Sequence, residues 1–151
     1  MDFKIGTKRD LAGILDLYKQ FNDDNDDNDD SVDCLSIDKA NKIWDYIITS
    51  NIKYFIAKDG EKIVGSCYIN IIPNLTHGGK SIGYIENIIT DGNYRRQGIG
   101  KKLMEMAINN AKENDCYKAV LQSGIKRTGA HKFYESIGFN GTSKKAFELR
   151  F

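Results

Sequence analysis

The alternation of hydrophobic and polar positions predicts a chain built from six strands and four helices. Period-two alternation with β-branched and aromatic residues indicates the strands, and apolar residues recurring every three or four positions indicate the helices. The predicted strands cover residues 3–5, 53–58, 62–72, 84–90, 117–122 and 145–151. The predicted helices begin after a capping box at Thr7, at Ser36, near Ile99 and near Gly129.

This order of elements, β-α-α-β-β-β-α-β-α-β, predicts an α/β (α+β) fold with a mixed central β-sheet flanked by helices on both faces. A length of 151 residues suits one domain and allows one substantial core. The sequence contains no internal repeat or linker. We therefore expect a single domain that spans residues 1–151.

The stretch from Tyr84 to Met106 has the pattern of an anion-binding site. A predicted strand ends at Thr90, a polar turn follows, and Ile99 opens a helix. The first N–H groups of a helix have no partner inside it, and the helix dipole places partial positive charge there. Glycine at positions 98 and 100 has no Cβ, so a phosphate can approach the backbone closely. Four basic side chains lie around the same point: Arg95, Arg96, Lys101 and Lys102.

Two common nucleotide-binding motifs do not fit this stretch. A Walker loop would end in Gly-Lys-Ser or Gly-Lys-Thr, but Lys102 follows the lysine here. The dinucleotide motif needs a third glycine where Leu103 stands. The segment 95–100, Arg-Arg-Gln-Gly-Ile-Gly, instead resembles the pyrophosphate motif Gln/Arg-x-x-Gly-x-Gly/Ala of the GNAT N-acetyltransferases. The structural alternative is a Gly-rich turn that only starts a helix.

A second segment strengthens the resemblance to the GNAT family. Residues 130–139, Ala-His-Lys-Phe-Tyr-Glu-Ser-Ile-Gly-Phe, are similar to the signature Ala-x-x-Phe-Tyr-x-x-x-Gly-Phe of the last GNAT helix and the strand after it. Family members often carry Asn three residues before the Ala, and Arg127 stands there in this chain. The two motifs occur in the family's order, and the predicted elements resemble the GNAT fold from first strand to last.

The resemblance implies transfer of an acetyl group from acetyl-CoA to an amine by direct attack on the thioester. It implies that Glu86 accepts the amine proton, directly or through water, and that Tyr134 protonates the CoA thiolate. A surface carboxylate and a core aromatic are the respective structural alternatives. The family likeness also places an oxyanion donor in the main chain, where the strand bulges around Ile88. The residues implied for cofactor binding are Ile88, Ile89, Thr90, Arg95, Arg96, Gln97, Gly98, Ile99, Gly100 and Lys101.

Charge is unevenly distributed, although the formal net charge is only +1. Residues 22–33 contain seven aspartates and no Lys or Arg, and without them 22 basic residues face 14 acidic ones. A basic body suits a polyanionic cofactor, and the acidic run suits a cationic acceptor such as a polyamine, an aminoglycoside or a lysine side chain. The spacing of Asp23, Asn25 and Asp27 faintly resembles a calcium loop but lacks its glycine and closing glutamate, so no metal is expected.

The remaining patterns bear on location and partners. Cys34, Cys67 and Cys116 have no metal-like spacing, and residues 1–5 lack signal-peptide features, which predicts a cytoplasmic protein with reduced thiols. No apolar run approaches the roughly 20 residues of a membrane helix. The basic residues cluster at the Gly-rich turn, which disfavours a nucleic-acid partner.

We therefore expect a small-molecule amine or a protein amino group as the acceptor, with no membrane or nucleic-acid partner. The edge of the last predicted strand would allow a homodimer. The alternative function is a non-catalytic GNAT-like module that binds acetyl-CoA or CoA as a sensor.

Overall fold

The computed structural model describes residues 1–21 and 35–151. Within these ranges the strands are β1 (Asp2–Ile5), β2 (Ile52–Asp59), β3 (Lys62–Ile72), β4 (Ser81–Thr90) and β5 (Cys116–Leu121). The helices are α1 (Leu11–Tyr18), α2 (Ile37–Ile47), α3 (Ile99–Glu113) and α4 (Thr128–Ser136). Short 3₁₀ turns lie at Lys8–Asp10, His77–Gly79 and Gly92–Tyr94. These positions confirm the four predicted helices and the first five predicted strands, with ends shifted by a few residues.

The strands form one five-stranded sheet in the order β1-β2-β3-β4-β5. The first four strands pair antiparallel with their neighbours, and α3 connects β4 to β5. The mixed sheet that the element order predicted is therefore confirmed. The chain divides into two compact units, Met1–Val120 and Leu121–Phe151. The first unit holds the sheet up to β5 and helices α1 to α3, and the second unit holds α4.

Different helices cover the two faces of the sheet in the first unit. On one face α3 approaches β3 so closely that a Cβ on Gly65 would lie 2.8 Å from Ile99 Cγ2 and 2.9 Å from Leu103 Cδ1. Glycine at this position is what allows the helix to approach. The opposite face is covered by α1 and α2, whose apolar sides join Ile56 of β2 in one buried cluster. The buried members of this cluster are Leu11, Ile14, Leu17, Ala40, Trp44, Ile56, Ile63 and Ile89.

Helices α1 and α2 begin with the polar contacts that their sequences predict. The Asp10 carboxylate accepts hydrogen bonds from the Thr7 N–H at 3.0 Å and the Thr7 hydroxyl at 2.8 Å. The Ser36 hydroxyl accepts the Lys39 N–H at the start of α2. Such contacts satisfy N–H groups that a helix start leaves unpaired. They fix where each helix enters the face that it covers.

The hairpin of β2 and β3 contains an extra residue close to its turn. Lys58 pairs with Ile63, but Ala57 pairs with Gly65, so Val64 is the additional residue in β3. A β-bulge of this kind shifts the pairing of every later residue by one position. The bulge therefore decides which side chains of β2 and β3 lie opposite each other.

The predicted strand at residues 145–151 is wrong. In the described part of the chain, residues 139–151 form neither helix nor strand. Its alternating apolar side chains, Phe147, Leu149 and Phe151, are exposed. Alternation alone does not form a strand, because the backbone groups also need a paired neighbour. The homodimer that this edge would have allowed loses its structural basis.

Two further observations complete the fold. The acidic run, the calcium-like spacing and Cys34 lie outside the described residues. None of the described helices is long and apolar enough to cross a membrane.

Candidate functional site

The centre of β4 contains a second bulge. The register between β3 and β4 shifts by one residue, so Cys67 lies opposite both Asn87 and Ile88. Asn87 has a φ of 52°, a left-handed conformation that Asn tolerates better than most residues. The bulge expected around Ile88 is therefore confirmed. It interrupts the regular pairing of β3 with β4 and turns main-chain groups away from the ladder direction.

Glu86 immediately precedes this bulge, is half-buried and pairs across the strands with Tyr68. Tyr84 lies two residues earlier and therefore on the same face. Burial, together with the charge and hydrogen bonding of Glu86, raises the pKa of Tyr84 to about 12. Burial also raises the pKa of Tyr68, with a contribution from the Glu86 charge. Both phenols therefore stay protonated near neutral pH beside the carboxylate.

The other β4 residues implied for cofactor binding differ in exposure. Ile88 and Thr90 are half-buried, whereas Ile89 is only 5% exposed. The Ile89 side chain belongs to the core beneath α1 and α2. Only the main chain of Ile89 is therefore placed for a ligand, as the resemblance implies.

Buried hydroxyl groups lie next to the bulge. Tyr18 Oη and Ser66 Oγ are both buried, and neither has a hydrogen-bond partner in the part of the chain that the structure describes. The Tyr18 hydroxyl lies beside Ser66 and Asn87 without reaching good hydrogen-bond geometry. Burial raises the pKa of Tyr18 well above its ordinary value. Unsatisfied buried hydroxyls are uncommon and costly, so their presence here singles out this region.

A buried carboxylate holds the turn that follows β4. The Asp91 side chain is 1% exposed and its Oδ2 lies 2.8 Å from Lys62 Nζ. Asp91 also accepts hydrogen bonds from Gln20 Nε2 at 3.1 Å and from the Asn93 N–H at 2.9 Å. Gln20 Oε1 accepts the Gly92 N–H at 3.0 Å. Burial acts to raise the pKa of Asp91, but these hydrogen bonds and the Lys62 charge lower it overall.

The next turn leads into α3 through a left-handed glycine. Gly98 has φ 82° and ψ −1° and precedes the first residue of α3. No heavy atom outside its immediate neighbours lies within 4 Å of the position that a Cβ would take. The Lys102 N–H bonds the Gly98 carbonyl, and the earlier amides of the first turn have no acceptor within the helix. This arrangement fits a phosphate group at the helix start.

The predicted polar residues lie around this helix start. Exposed side chains there are Arg95, Arg96, Gln97 and Lys101, while Ile99 is buried and Gly100 is half-buried. Arg95 Nε donates to the Thr90 carbonyl at 3.3 Å, which links the turn to the end of β4. The first unit therefore brings together Glu86, the bulge and every residue implied for cofactor binding.

Tyr134 belongs to the second unit and lies on α4. It is 8% exposed, and its ring contacts Phe133 and Phe139 with centroid distances of 5.3 and 6.4 Å. Arg127, which occupies the family's usual Asn position, is the residue just before α4. Its N–H donates to the Gly124 carbonyl at 3.0 Å, so its main chain closes the turn that starts the helix.

Three residues of this region escaped the sequence pattern: Tyr68, Gln20 and Asp91. Gln20 and Asp91 are 71 positions apart, so no local pattern connects them. Tyr68 meets Glu86 only through the register of two strands. A signal did exist for Tyr84, because the period of a strand places it on the same face as Glu86.

Neither described cysteine has the environment of a nucleophile. Burial raises the pKa of Cys67 to about 12 and also raises that of Cys116. Among residues 1–21 and 35–151, no three His, Cys, Asp or Glu side chains are grouped so that they could hold a metal ion.

Comparison with known families agrees with the geometry. The sequence model of the Acetyltransferase (GNAT) family matches residues 14–139. The chain belongs to the GNAT acetyltransferase family, which the two motifs indicated.

Individual relatives and solved structures support the same assignment. A glucosamine 6-phosphate N-acetyltransferase of Trypanosoma brucei brucei is 34% identical over 93 residues, which are 62% of this chain and 61% of that protein. The chain thus spans less than two thirds of this relative. An acetyltransferase structure from Trypanosoma brucei has a TM-score of 0.83 and 26% identity, with 99% of each chain covered. A Clostridium acetobutylicum acetyltransferase structure with acetyl-CoA has a TM-score of 0.76 at 21% identity, covering 99% of this chain and 95% of that one, and shows the shared fold.

Proposed function

We propose that this chain transfers an acetyl group from acetyl-CoA to a primary amine by direct attack, the acceptor being a small cationic amine or a protein amino group. The observation that carries the proposal is the continuous run from the β4 bulge to the left-handed Gly98. Within this run, a main-chain donor at the bulge and the amides at the start of α3 lie on one uninterrupted segment. A thioester carrier with a diphosphate needs a donor at each of these two places.

Glu86 is proposed to remove the proton from the acceptor. An alkylamine has a pKa near ~10.4 in water and must be neutral when it attacks. The half-buried Glu86 carboxylate lies beside the protonated phenols of Tyr68 and Tyr84, which help to orient it. It can accept the amine proton directly or through a water molecule.

The groups that stabilise the thioester oxygen and protonate the leaving thiolate are assigned to the bulge and to α4. As the new N–C bond forms, negative charge develops on the thioester oxygen, and the Ile88 N–H is the proposed donor to it. The C–S bond then breaks, and Tyr134 is proposed to give its phenolic proton to the leaving thiolate. The proton that the amine loses and the proton that the thiolate gains balance the reaction.

The composition of residues 22–33 supports a cationic acceptor. Seven aspartates and no basic residue in twelve positions would raise the local concentration of a positively charged amine. The absence of a membrane-spanning pattern in the described helices and the cysteine usage accord with the proposed cytoplasmic location.

Calorimetric titration with acetyl-CoA tests the proposed cofactor site. We expect wild-type protein to bind, and Gly98→Val to bind at least tenfold more weakly, because a β-branched residue is strained at φ 82° and its side chain would occupy the ligand's space. Gly92→Ala is the matched control, since a Cβ there meets nothing within 4 Å and its backbone is not left-handed. Equal affinity of Gly98→Val and wild type would contradict the proposed site.

Acetyl-CoA consumption with a panel of amines tests turnover. We expect wild type to consume acetyl-CoA with at least one amine and Tyr134→Phe to reduce kcat at unchanged acetyl-CoA affinity. Binding without consumption across the panel would instead support the non-catalytic sensor. A version with residues 22–33 neutralised should lose preference for cationic amines.

A further inference from the structure

A row of aromatic rings crosses the face of the sheet that carries Glu86. Trp44 of α2 packs on Tyr54 of β2 with ring centroids 5.2 Å apart, and Tyr54 packs on Tyr68 of β3 at 5.1 Å. Tyr54 and Tyr68 are also register partners, and Tyr68 is in turn the partner of Glu86. The row therefore leads from α2 across two strands to the proposed base on a third.

The end of the row nearest Glu86 is accessible. Tyr68, Tyr84 and Glu86 are each half-buried, and none of them belongs to the cluster that packs beneath α1 and α2. Trp44 belongs to that cluster and Tyr54 packs against it, which fixes both rings. The row therefore has an anchored end in the core and an open end beside the carboxylate.

The charge of this surface favours a cation. Neighbouring positions on the same face of the three strands include Ile52, Ser66, Asn70 and Ile82. None of these positions is basic, while Glu86 supplies a carboxylate. The faces of tyrosine and tryptophan rings attract cations through their quadrupoles. An ammonium group is favoured beside Glu86, whereas a phosphate would meet the Glu86 carboxylate. Lys58, the basic residue four positions along β2 from Tyr54, lies 3.5 Å from the Asp10 carboxylate instead.

We propose that Tyr68, at the open end of the aromatic row, binds a second, non-reacting ammonium group of the acceptor, so that the enzyme prefers diamines. This inference rests on the proposed function, because it assigns the reacting amine to Glu86. The reacting amine must be neutral, but the second group keeps its charge throughout. Neighbouring strands lie about 4.8 Å apart, so a short alkyl chain can join the two groups.

This acceptor class differs from the phosphorylated amino sugar in the name of the trypanosomal relative. A phosphorylated amine carries negative charge at the end opposite its amino group. On this face that end would meet ring faces and a carboxylate. A diamine and a phosphorylated amino sugar therefore require opposite charge on the same surface. A comparison of the two acceptors tests the inference.

The test compares kcat/KM for two pairs of acceptors. One pair is cadaverine and n-pentylamine, which share a five-carbon chain and differ in the second ammonium. The other pair is glucosamine and glucosamine 6-phosphate. After correction for its two equivalent amines, cadaverine should be preferred over n-pentylamine about 3- to 30-fold, the range of a cation–π contact. Glucosamine should be preferred over its phosphate.

Three variants identify the source of the preference. Tyr68→Leu removes the ring and should reduce the cadaverine preference towards one, whereas Tyr68→Phe keeps the ring and should keep the preference. Tyr46→Leu is the control, because Tyr46 lies on α2 as Trp44 does but is 70% exposed and is not part of the aromatic row. It should leave both rates unchanged. Circular dichroism and acetyl-CoA titration of each variant exclude misfolding and loss of the cofactor site.

The outcomes separate the inference from the function on which it rests. Equal kcat/KM for cadaverine and n-pentylamine, or a preference for glucosamine 6-phosphate, would overturn the diamine site while acetyl transfer itself stands. A cadaverine preference that survives in folded Tyr68→Leu would also overturn it, because the preference would then come from elsewhere, such as residues 22–33. Failure to bind or consume acetyl-CoA at all would overturn the proposed function.

Discussion

Six consecutive residues of β3 show how differently the two faces of the sheet are built. Gly65, Cys67 and Ile69 face α3, and both Cys67 and Ile69 are fully buried. Ser66, Tyr68 and Asn70 alternate with them and face the other way. The α3 face is thus closely packed and apolar, while the opposite face presents hydroxyl, phenol and amide groups.

The difference assigns a separate task to each face. Close packing of α3 on the sheet fixes the start of the helix, where the cofactor amides lie. The opposite face holds Glu86 and the aromatic row, and it keeps buried hydroxyls that apolar residues of similar size could replace. Substitutions on the α3 face should therefore change stability first, and those on the opposite face should change activity first.

Glu86→Gln should show the largest effect, and that effect should be on activity. We expect kcat to fall by about 10²- to 10⁴-fold, because the amide cannot accept the amine proton. The free energy of unfolding should change by less than about 1 kcal/mol, since the side chain is only half-buried. Steady-state kinetics and urea unfolding measure the two quantities. Unchanged kcat in folded Glu86→Gln would show that Glu86 is not the base.

Leu103→Ala should show the largest effect on stability. Leu103 of α3 is fully buried against Gly65 of β3. Its truncation should therefore lower the free energy of unfolding by about 2–5 kcal/mol. Ile43→Ala is the control on α2, because Ile43 is 43% exposed and should cost clearly less. Urea unfolding measures both. Equal losses would contradict the view that the close packing of Leu103 against β3 stabilises the fold.

Asp91→Asn should have an intermediate effect that depends on pH. The pKa of Asp91 is lowered in the folded protein relative to its unfolded value near ~3.9, so its charge stabilises the fold above that value. The stabilisation is lost as pH falls through the lower, folded pKa. We expect the variant to lose about 1–3 kcal/mol near neutral pH and the difference from wild type to shrink below about pH 4.

Urea unfolding at several pH values tests this dependence. Asp45→Asn is the control, because the exposed pair of Asp45 with Lys8 should contribute at most about 1 kcal/mol. A difference between Asp91→Asn and wild type that stays constant from pH 7 to 3 would show that the carboxylate charge is not the cause.

The smallest effect is expected from Ser66→Ala, beside the β4 bulge. Removing a buried hydroxyl that has no hydrogen-bond partner among residues 1–21 and 35–151 should leave the free energy of unfolding within about 0.5 kcal/mol of wild type, or raise it. Cys67→Ala changes the adjacent residue, whose side chain faces α3. It should lower the free energy of unfolding by about 1 kcal/mol, because it leaves a cavity in a packed position. Thermal unfolding compares the pair. A larger loss for Ser66→Ala would mean that its hydroxyl is satisfied in solution.

The order of elements could be predicted from sequence because each element has a strong local period. Trp44 and Ala40 recur at helical spacing, and Lys62–Ile72 is rich in β-branched residues. The strand predicted at 145–151 had the same kind of local signal. It failed because a strand also depends on a neighbouring strand, which no local pattern specifies.

The candidate site could be predicted only where its chemistry lies in one continuous segment. The run from Glu86 to Lys101 is such a segment, and its bulge was expected there. The aromatic row is not. Counting back from the turn at Asp59-Gly60 would pair Tyr54 with Cys67, and only the extra residue at Val64 places Tyr68 there instead. A single-residue shift of this kind reverses which face a side chain occupies.

The aromatic row has a practical consequence for studying this enzyme. Trp44 is the one tryptophan in the chain, and its ring packs against Tyr54 at the buried end of the row. Its fluorescence therefore reports on ligands that bind at the neighbouring tyrosines. An acceptor arriving at Tyr68 would alter emission without any label, so that affinity could be followed in real time even for amines that the enzyme acetylates slowly.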